Sequence, residues 1–302
     1  MRILCIGDGN TAGYTDNPDW TIPFEFGYRS GLYLRMTTNG HPVQFVGDSS
    51  EPWSGFFGLP TNTPSPDLRL LGQDYHRGYA GLNTSHVLSY ISNWLVVDDP
   101  DIILLLIGLD DPDINVTRSN LTHILQTIAT NQPHASTIVA QIPPLAYYTQ
   151  IIVDLNNFIR DTLVPAFQAQ GNRVGTVDQY AHLLTGGVID PSLFANQLNH
   201  PGNMAFDHMA QTWYVGIQAA LTAPSLVRFT RVSSSGGNLV LAGSGGPADT
   251  RFHMLTSTNP ALPASSWQTN SPMGTFDSAG NFTYTNALNL NRPGRFFRIK
   301  TQ

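Results

Sequence analysis

The stretch Arg2-Ile3-Leu4-Cys5-Ile6-Gly7-Asp8-Gly9-Asn10-Thr11-Ala12-Gly13 decides how the rest of the chain is read. A short apolar run that stops at Gly, Asp and Asn predicts a buried strand delivered into a tight turn. Cys5, the only cysteine, sits inside this strand, so it reads as a small core residue and no internal disulfide can form.

Working outward, the same pattern recurs. Apolar runs at residues 2–6, 43–47, 101–108, 137–142 and 173–177 predict strands, and amphipathic runs at 29–38, 84–94, 118–131, 151–168 and 203–221 predict helices. In the fourth helix the apolar positions Ile152, Leu155, Phe158, Ile159, Leu163 and Phe167 fall at near-helical spacing. Strands alternating with helices predict an α/β domain, a doubly wound parallel sheet with helices on both faces. Such sheets bind ligands beyond the carboxyl ends of their strands, where Gly7 to Gly13 and Gly108 to Asp111 fall.

The character changes at Thr222-Ala223-Pro224. Segments 227–232, 238–241, 252–256, 282–286 and 295–300 alternate without helical period and are separated by Gly- and Ser-rich turns. We read two domains, 1–223 as the α/β domain and 224–302 as a small C-terminal antiparallel β-sandwich. The ending Gly294-Arg295-Phe296-Phe297-Arg298-Ile299-Lys300, with Ser257-Thr258-Asn259 and Trp267, loosely resembles the β-domains appended to secreted bacterial enzymes.

Composition narrows the function classes. Charged residues make up 12% of the 302, about half the usual share, and the net charge is -6 with no basic run. Nucleic-acid and anionic-membrane partners are therefore not expected. The longest apolar run, residues 102–107, is too short to span a bilayer. We expect a secreted chain whose leader is absent from this sequence, with a cytoplasmic location left open.

Four blocks carry candidate chemistry. Gly7-Asp8-Gly9-Asn10-Thr11-Ala12-Gly13 comes first, and Gly78-Tyr79-Ala80-Gly81-Leu82-Asn83-Thr84 precedes a helix start. Gly108-Leu109-Asp110-Asp111 follows the most apolar strand. Gln197-Leu198-Asn199-His200-Pro201 precedes the last helix of the α/β domain. In this order the blocks resemble those of the SGNH (GDSL) hydrolases over residues 1–221. In that family a Ser is the nucleophile, a Gly N–H and an Asn amide bind the oxyanion, and Asp-x-x-His supplies an oriented base.

The resemblance implies Gly9 at the nucleophile position, His200 as base, and Gly81 as N–H donor, with Asn10 and Asn83 beside it. It also exposes three departures: Gly9 has no hydroxyl, Asp110 replaces the Asn, and Gln197 replaces the Asp before His200. A carboxylate at 110 accepts rather than donates unless it is held protonated. Asp8 and Asp111 are acid or base candidates, with helix capping and loop bonding as their plain structural alternatives. Asp190 and Asp207 are candidate partners for His200. His76 and His86 read as polar surface.

The region 48–77 is long and aromatic, and reads equally as a binding wall or as a self-packed loop. Trp53 and Tyr79, with Trp20 and Tyr75, are candidate sugar-stacking residues. The expected function is a carbohydrate-active ester hydrolase, acting on a small-molecule or saccharide substrate without cofactor or metal, in a form lacking its nucleophile. Two alternatives stay open. One is a glycoside-hydrolase-like or metal-assisted enzyme using water activated by His200 and the Asp group; the other is a non-catalytic glycan binder.

Overall fold

The computed structural model describes residues 1–14, 26–49, 68–145, 147–194, 200–222, 227–246, 248–260, 262, 266–287 and 295–301. The chain divides into two compact units, Met1–Thr222 and Ala223–Gln302.

The first unit begins with strand β1 (Arg2–Gly7) and the single-turn helix α1 (Gly9–Ala12). Helix α2 (Tyr28–Thr38), β2 (Gln44–Val46) and the two-residue β3 (Arg77–Gly78) follow, then α3 (Thr84–Asp98), β4 (Ile102–Leu106), α4 (Ile114–Asn131) and β5 (Ser136–Gln141). Helices α5 (Gln150–Phe158) and α6 (Val164–Ala169) lead to β6 (Val174–Asp178). A small hairpin of β7 (Leu184–Thr185) and β8 (Val188–Ile189) precedes the long α7 (Asn203–Thr222).

The sheet order is β2-β1-β4-β5-β6, with β3 pairing β1 as well, and every pair is parallel. Parallel strands covered on both faces must be apolar on both sides, which is why Ile102–Leu106 is buried at all five positions. Leaving β3 aside, this is the flavodoxin-like order, and its switch point lies between β1 and β4. Register makes that point a site: Gly7 pairs with Leu106 on one side and with Gly78 on the other. The loops after β1, β3 and β4 therefore leave the sheet at one level, side by side.

Residues 151–168 are not one regular helix as their spacing predicts. A π turn, Ile159–Leu163, separates α5 from α6. Pro165 at the start of α6 has no N–H to close the preceding α turn, and the chain widens there instead. Helix α4 begins four residues before the predicted start, because Asp113 caps it by accepting from the Asn115 N–H at 2.8 Å.

The second unit has two three-stranded antiparallel sheets. One is β13 (Phe282–Ala287), β10 (Asn238–Ser244) and β9 (Arg228–Ser235); the other is β12 (Gln268–Thr275), β11 (Arg251–Ser257) and β14 (Phe296–Thr301). Leu241, Phe252, Met254, Phe276, Phe282 and Tyr284 from both sheets form its core. Strand β12 is not among the strands that alternation predicts. Pro272 breaks its pattern, and Pro is tolerated because β12 is an edge strand whose register slips between Phe252 and Met254 of β11. Among the described residues no helix is long and apolar enough to cross a membrane.

Candidate active site

The three loops at the switch point and the segment before α7 enclose a cleft of about 370 Å³, within the range of small-ligand sites. Asp8, Gly9, Asn10, Tyr14, Ala80, Gly81, Leu109, Asp110, Leu145 and His200 line it. Blocks distant in sequence thus converge.

Close approach of backbone builds the first wall. A Cβ on Gly7 would lie 2.2 Å from both the Leu106 carbonyl oxygen and Thr11 Oγ1, so only Gly lets α1 fold back over the ends of β1 and β4. Asp8 is the N-cap of α1, its Oδ1 accepting from the Asn10 N–H at 2.9 Å. Arg29 closes the other end. Fully buried, it donates to the carbonyls of Thr11 at 3.1 Å, Ala12 at 3.0 Å and Asp74 at 2.8 Å. Burial lowers its pKa to about 10, which leaves it charged at neutral pH. Its sequence pattern marks Arg29 only as a helix start; an Arg in an apolar setting is the signal that could have singled it out.

Gly9 and His200 face each other. A Cβ on Gly9 would lie 3.2 Å from His200 Nε2 and 3.6 Å from Tyr14 Cδ2. His200 is held by the Phe194–Pro201 bridge and by the Gly202 N–H donating to the Leu193 carbonyl at 2.7 Å. Its two candidate acidic partners are engaged elsewhere. Asp190 accepts from Thr185 Oγ1 and from the Ser192 N–H and Oγ, while Asp207 pairs with Arg35 at 2.8 Å. Gln197 lies outside the described residues, as do Trp20 and Trp53.

Neighbouring carboxylates part company. Asp111 accepts from the Thr84 N–H at 3.1 Å and from Thr84 Oγ1 at 2.7 Å, tying the loop after β4 to the start of α3. It does not line the cleft around Gly9. Asp110 does, at the exposed mouth; desolvation raises its pKa, His200 opposes that rise, and the Asp111 charge adds to it. Asp8 is 2% exposed, and its carboxyl is pushed up to about 7 by burial and then by Asp110, against bonds from Asn10. Among the described residues its Oδ2 has no hydrogen-bond partner, and neither has Oδ1 of Asn10, which is 3% exposed.

The second block supplies Ala80 and Gly81 to the cleft, but not its side-chain candidates. Asn83 caps α3, its Oδ1 accepting from the His86 N–H at 3.1 Å. Tyr79 stacks on Trp94 with centroids 6.4 Å apart and donates its hydroxyl to Asp48. Tyr75 is exposed. His76 is not surface as its polarity predicts: it is fully buried, and its Nδ1 accepts from the Gly78 N–H at 2.9 Å. Tyr14 and Leu145 join the cleft without any sequence signal, since a buried Tyr beside Gly13 and a Leu after Pro144 carry no local mark of one. Among the described residues no group of three or more His, Cys, Asp or Glu is arranged to hold a metal ion.

No protein-family model and no curated protein matches the sequence. Solved structures do match. A family 3 carbohydrate esterase from Clostridium thermocellum is 23% identical over 74% of this chain and 99% of its own, with a TM-score of 0.55. A family 3 carbohydrate esterase from Talaromyces cellulolyticus is 18% identical over 73% of this chain and 98% of its own, at 0.57. A mutant acetyl esterase solved with an acetate ion is 17% identical over 73% and 98%, at 0.56. At these identities the likeness is one of fold, and with the parallel sheet and its convergent loops it gives the α/β unit the fold of the SGNH/GDSL hydrolases.

Proposed function

We propose that the α/β unit is a carbohydrate-active carboxylic-ester hydrolase scaffold, a deacylase cleft from which acyl-enzyme chemistry has been removed at Gly9. One observation carries the reading: the Cβ position of residue 9 is 3.2 Å from His200 Nε2. A serine there would set its hydroxyl beside the imidazole that accepts its proton, the arrangement of an activated nucleophile. Glycine offers no atom on which an acyl group can be carried. Asp110 works in the same direction, because an ionised carboxylate repels the oxyanion that an amide would stabilise. The substrate class is taken from the esterases of similar fold, named for carbohydrates and acetyl groups.

Restoring the hydroxyl tests this. Gly9→Ser is expected to raise hydrolysis of p-nitrophenyl acetate by roughly 100-fold or more over the parent. Adding Asp110→Asn is expected to raise it further, by about 100-fold, as an oxyanion donor does. His200→Ala in that background should return the rate to the parent's. A double variant no faster than the parent would overturn the reading, and so would a parent rate that His200→Ala abolishes.

A further inference from the structure

Hydrogen-bond donors and acceptors in the cleft are not balanced. Among the described residues Asp8 Oδ2 and Asn10 Oδ1 have no partner, in side chains 2% and 3% exposed, and both are acceptors once the Asp8 carboxyl ionises above about pH 7. Asp110 adds a carboxylate at the mouth of the same cleft, near enough to raise the pKa of Asp8. The side-chain donors among the lining residues are the Asn10 amide, the Tyr14 hydroxyl and the imidazole, whose nitrogens donate or accept by tautomer. Buried polar atoms are nearly always paired, so two acceptors left over in one cleft call for a ligand rich in donors.

The departures from the resembled pattern explain the imbalance. A Ser hydroxyl and an Asn amide both donate; Gly9 removes the first, and Asp110 replaces the second with an acceptor that can be charged. The absent side chain at residue 9 leaves no more than the space of one atom between His200 Nε2 and Tyr14 Cδ2, which a Cβ there would meet at 3.2 Å and 3.6 Å. Both changes turn a site suited to an anion into one suited to a cation.

We propose that the cleft binds a primary ammonium group, seated beside Gly9 and donating to Asp8, Asn10 and Asp110. An ammonium has three donors and no acceptor, and its charge complements both carboxylates. A neutral hydroxyl matches the geometry but not the charge. The ligand class is therefore a compact amine, such as an amine-bearing saccharide. This deepens the reading above and rests on this cleft being the working site.

Titration of the full chain at pH 8 with benzylamine, benzyl alcohol and N-benzylacetamide, followed by NMR, tests it. Benzylamine is expected to bind about tenfold more tightly than either neutral analogue, the size of a charge-assisted bond. Asp110→Asn should lower amine affinity by about fivefold or more and leave the alcohol unchanged. Equal binding of amine and alcohol, an amine affinity indifferent to Asp110→Asn, or no binding by any of the three overturns the proposal. The two readings fail separately. A rate gain from Gly9→Ser without amine preference keeps the hydrolase scaffold and drops the cation site, and the converse drops only the scaffold's ester chemistry.

Discussion

The frame of the cleft and its reactive wall are built in opposite ways. In the frame, three polar groups around the cleft are paired. Arg29 holds three carbonyls, Asp111 holds the backbone and hydroxyl of Thr84, and His76 receives the Gly78 N–H. On the reactive wall, residue 9 carries no side chain, and among the described residues Asp8 and Asn10 each keep an unpartnered oxygen. Asp110 and Asp111 make the contrast within two residues: one faces the cleft, the other fastens it.

Four substitutions sharpen or break that contrast. Arg29→Met has the largest expected effect, because it removes a buried cation from three carbonyls. It should destabilise the full chain by about 3–5 kcal/mol in denaturant unfolding, and a loss under about 1 kcal/mol would mean the frame does not depend on Arg29.

Asp8→Asn should act the other way. The Asp8 carboxyl keeps its proton up to about pH 7 in the folded chain, against 3.8 as its ordinary value. The native state thus has its full advantage from this group below pH 3.8, and loses it as pH rises to 7. The difference, about 3 pH units, corresponds to about 4 kcal/mol. An amide retains the capping oxygen without the charge, so Asp8→Asn should be more stable than the parent by about 2–3 kcal/mol at pH 8, and by much less at pH 4. Equal stability at both pH values would show that the reactive wall is satisfied after all.

Asp111→Ala has a smaller expected effect, a loss of about 1–2 kcal/mol from unsatisfied Thr84 groups. Asp110→Ala, one residue away, should change stability by less than about 0.5 kcal/mol. Equal effects at 110 and 111 would erase the distinction between facing and fastening.

Much of this is legible along the chain itself. Strand and helix alternation follows from periodicity, and the Gly7–Gly13 and Gly108–Asp111 turns fall where strand ends place ligands. What stays hidden involves contacts rather than patterns. Asn83 has the same look as a substrate-binding side chain, yet it caps α3. Tyr79 reads as a sugar platform, yet its ring stacks on Trp94. Strand β12 hides behind Pro272, and the π turn at Ile159–Leu163 hides inside a regular apolar period.

The sequence by itself determined the chemical inventory: no hydroxyl at residue 9, a carboxylate at 110 and an imidazole at 200. It also determined the parallel α/β plan, because burial on both faces demands continuous apolar strands. Only the tertiary structure decided which of these groups meet. Register brings Gly7, Gly78 and Leu106 level, so residues 9, 81, 110 and 200 share one cleft while 83 and 111 turn away to fasten it. A side chain's role depends on which partner reaches it first, and that is set by packing across the sheet rather than by neighbours along the chain.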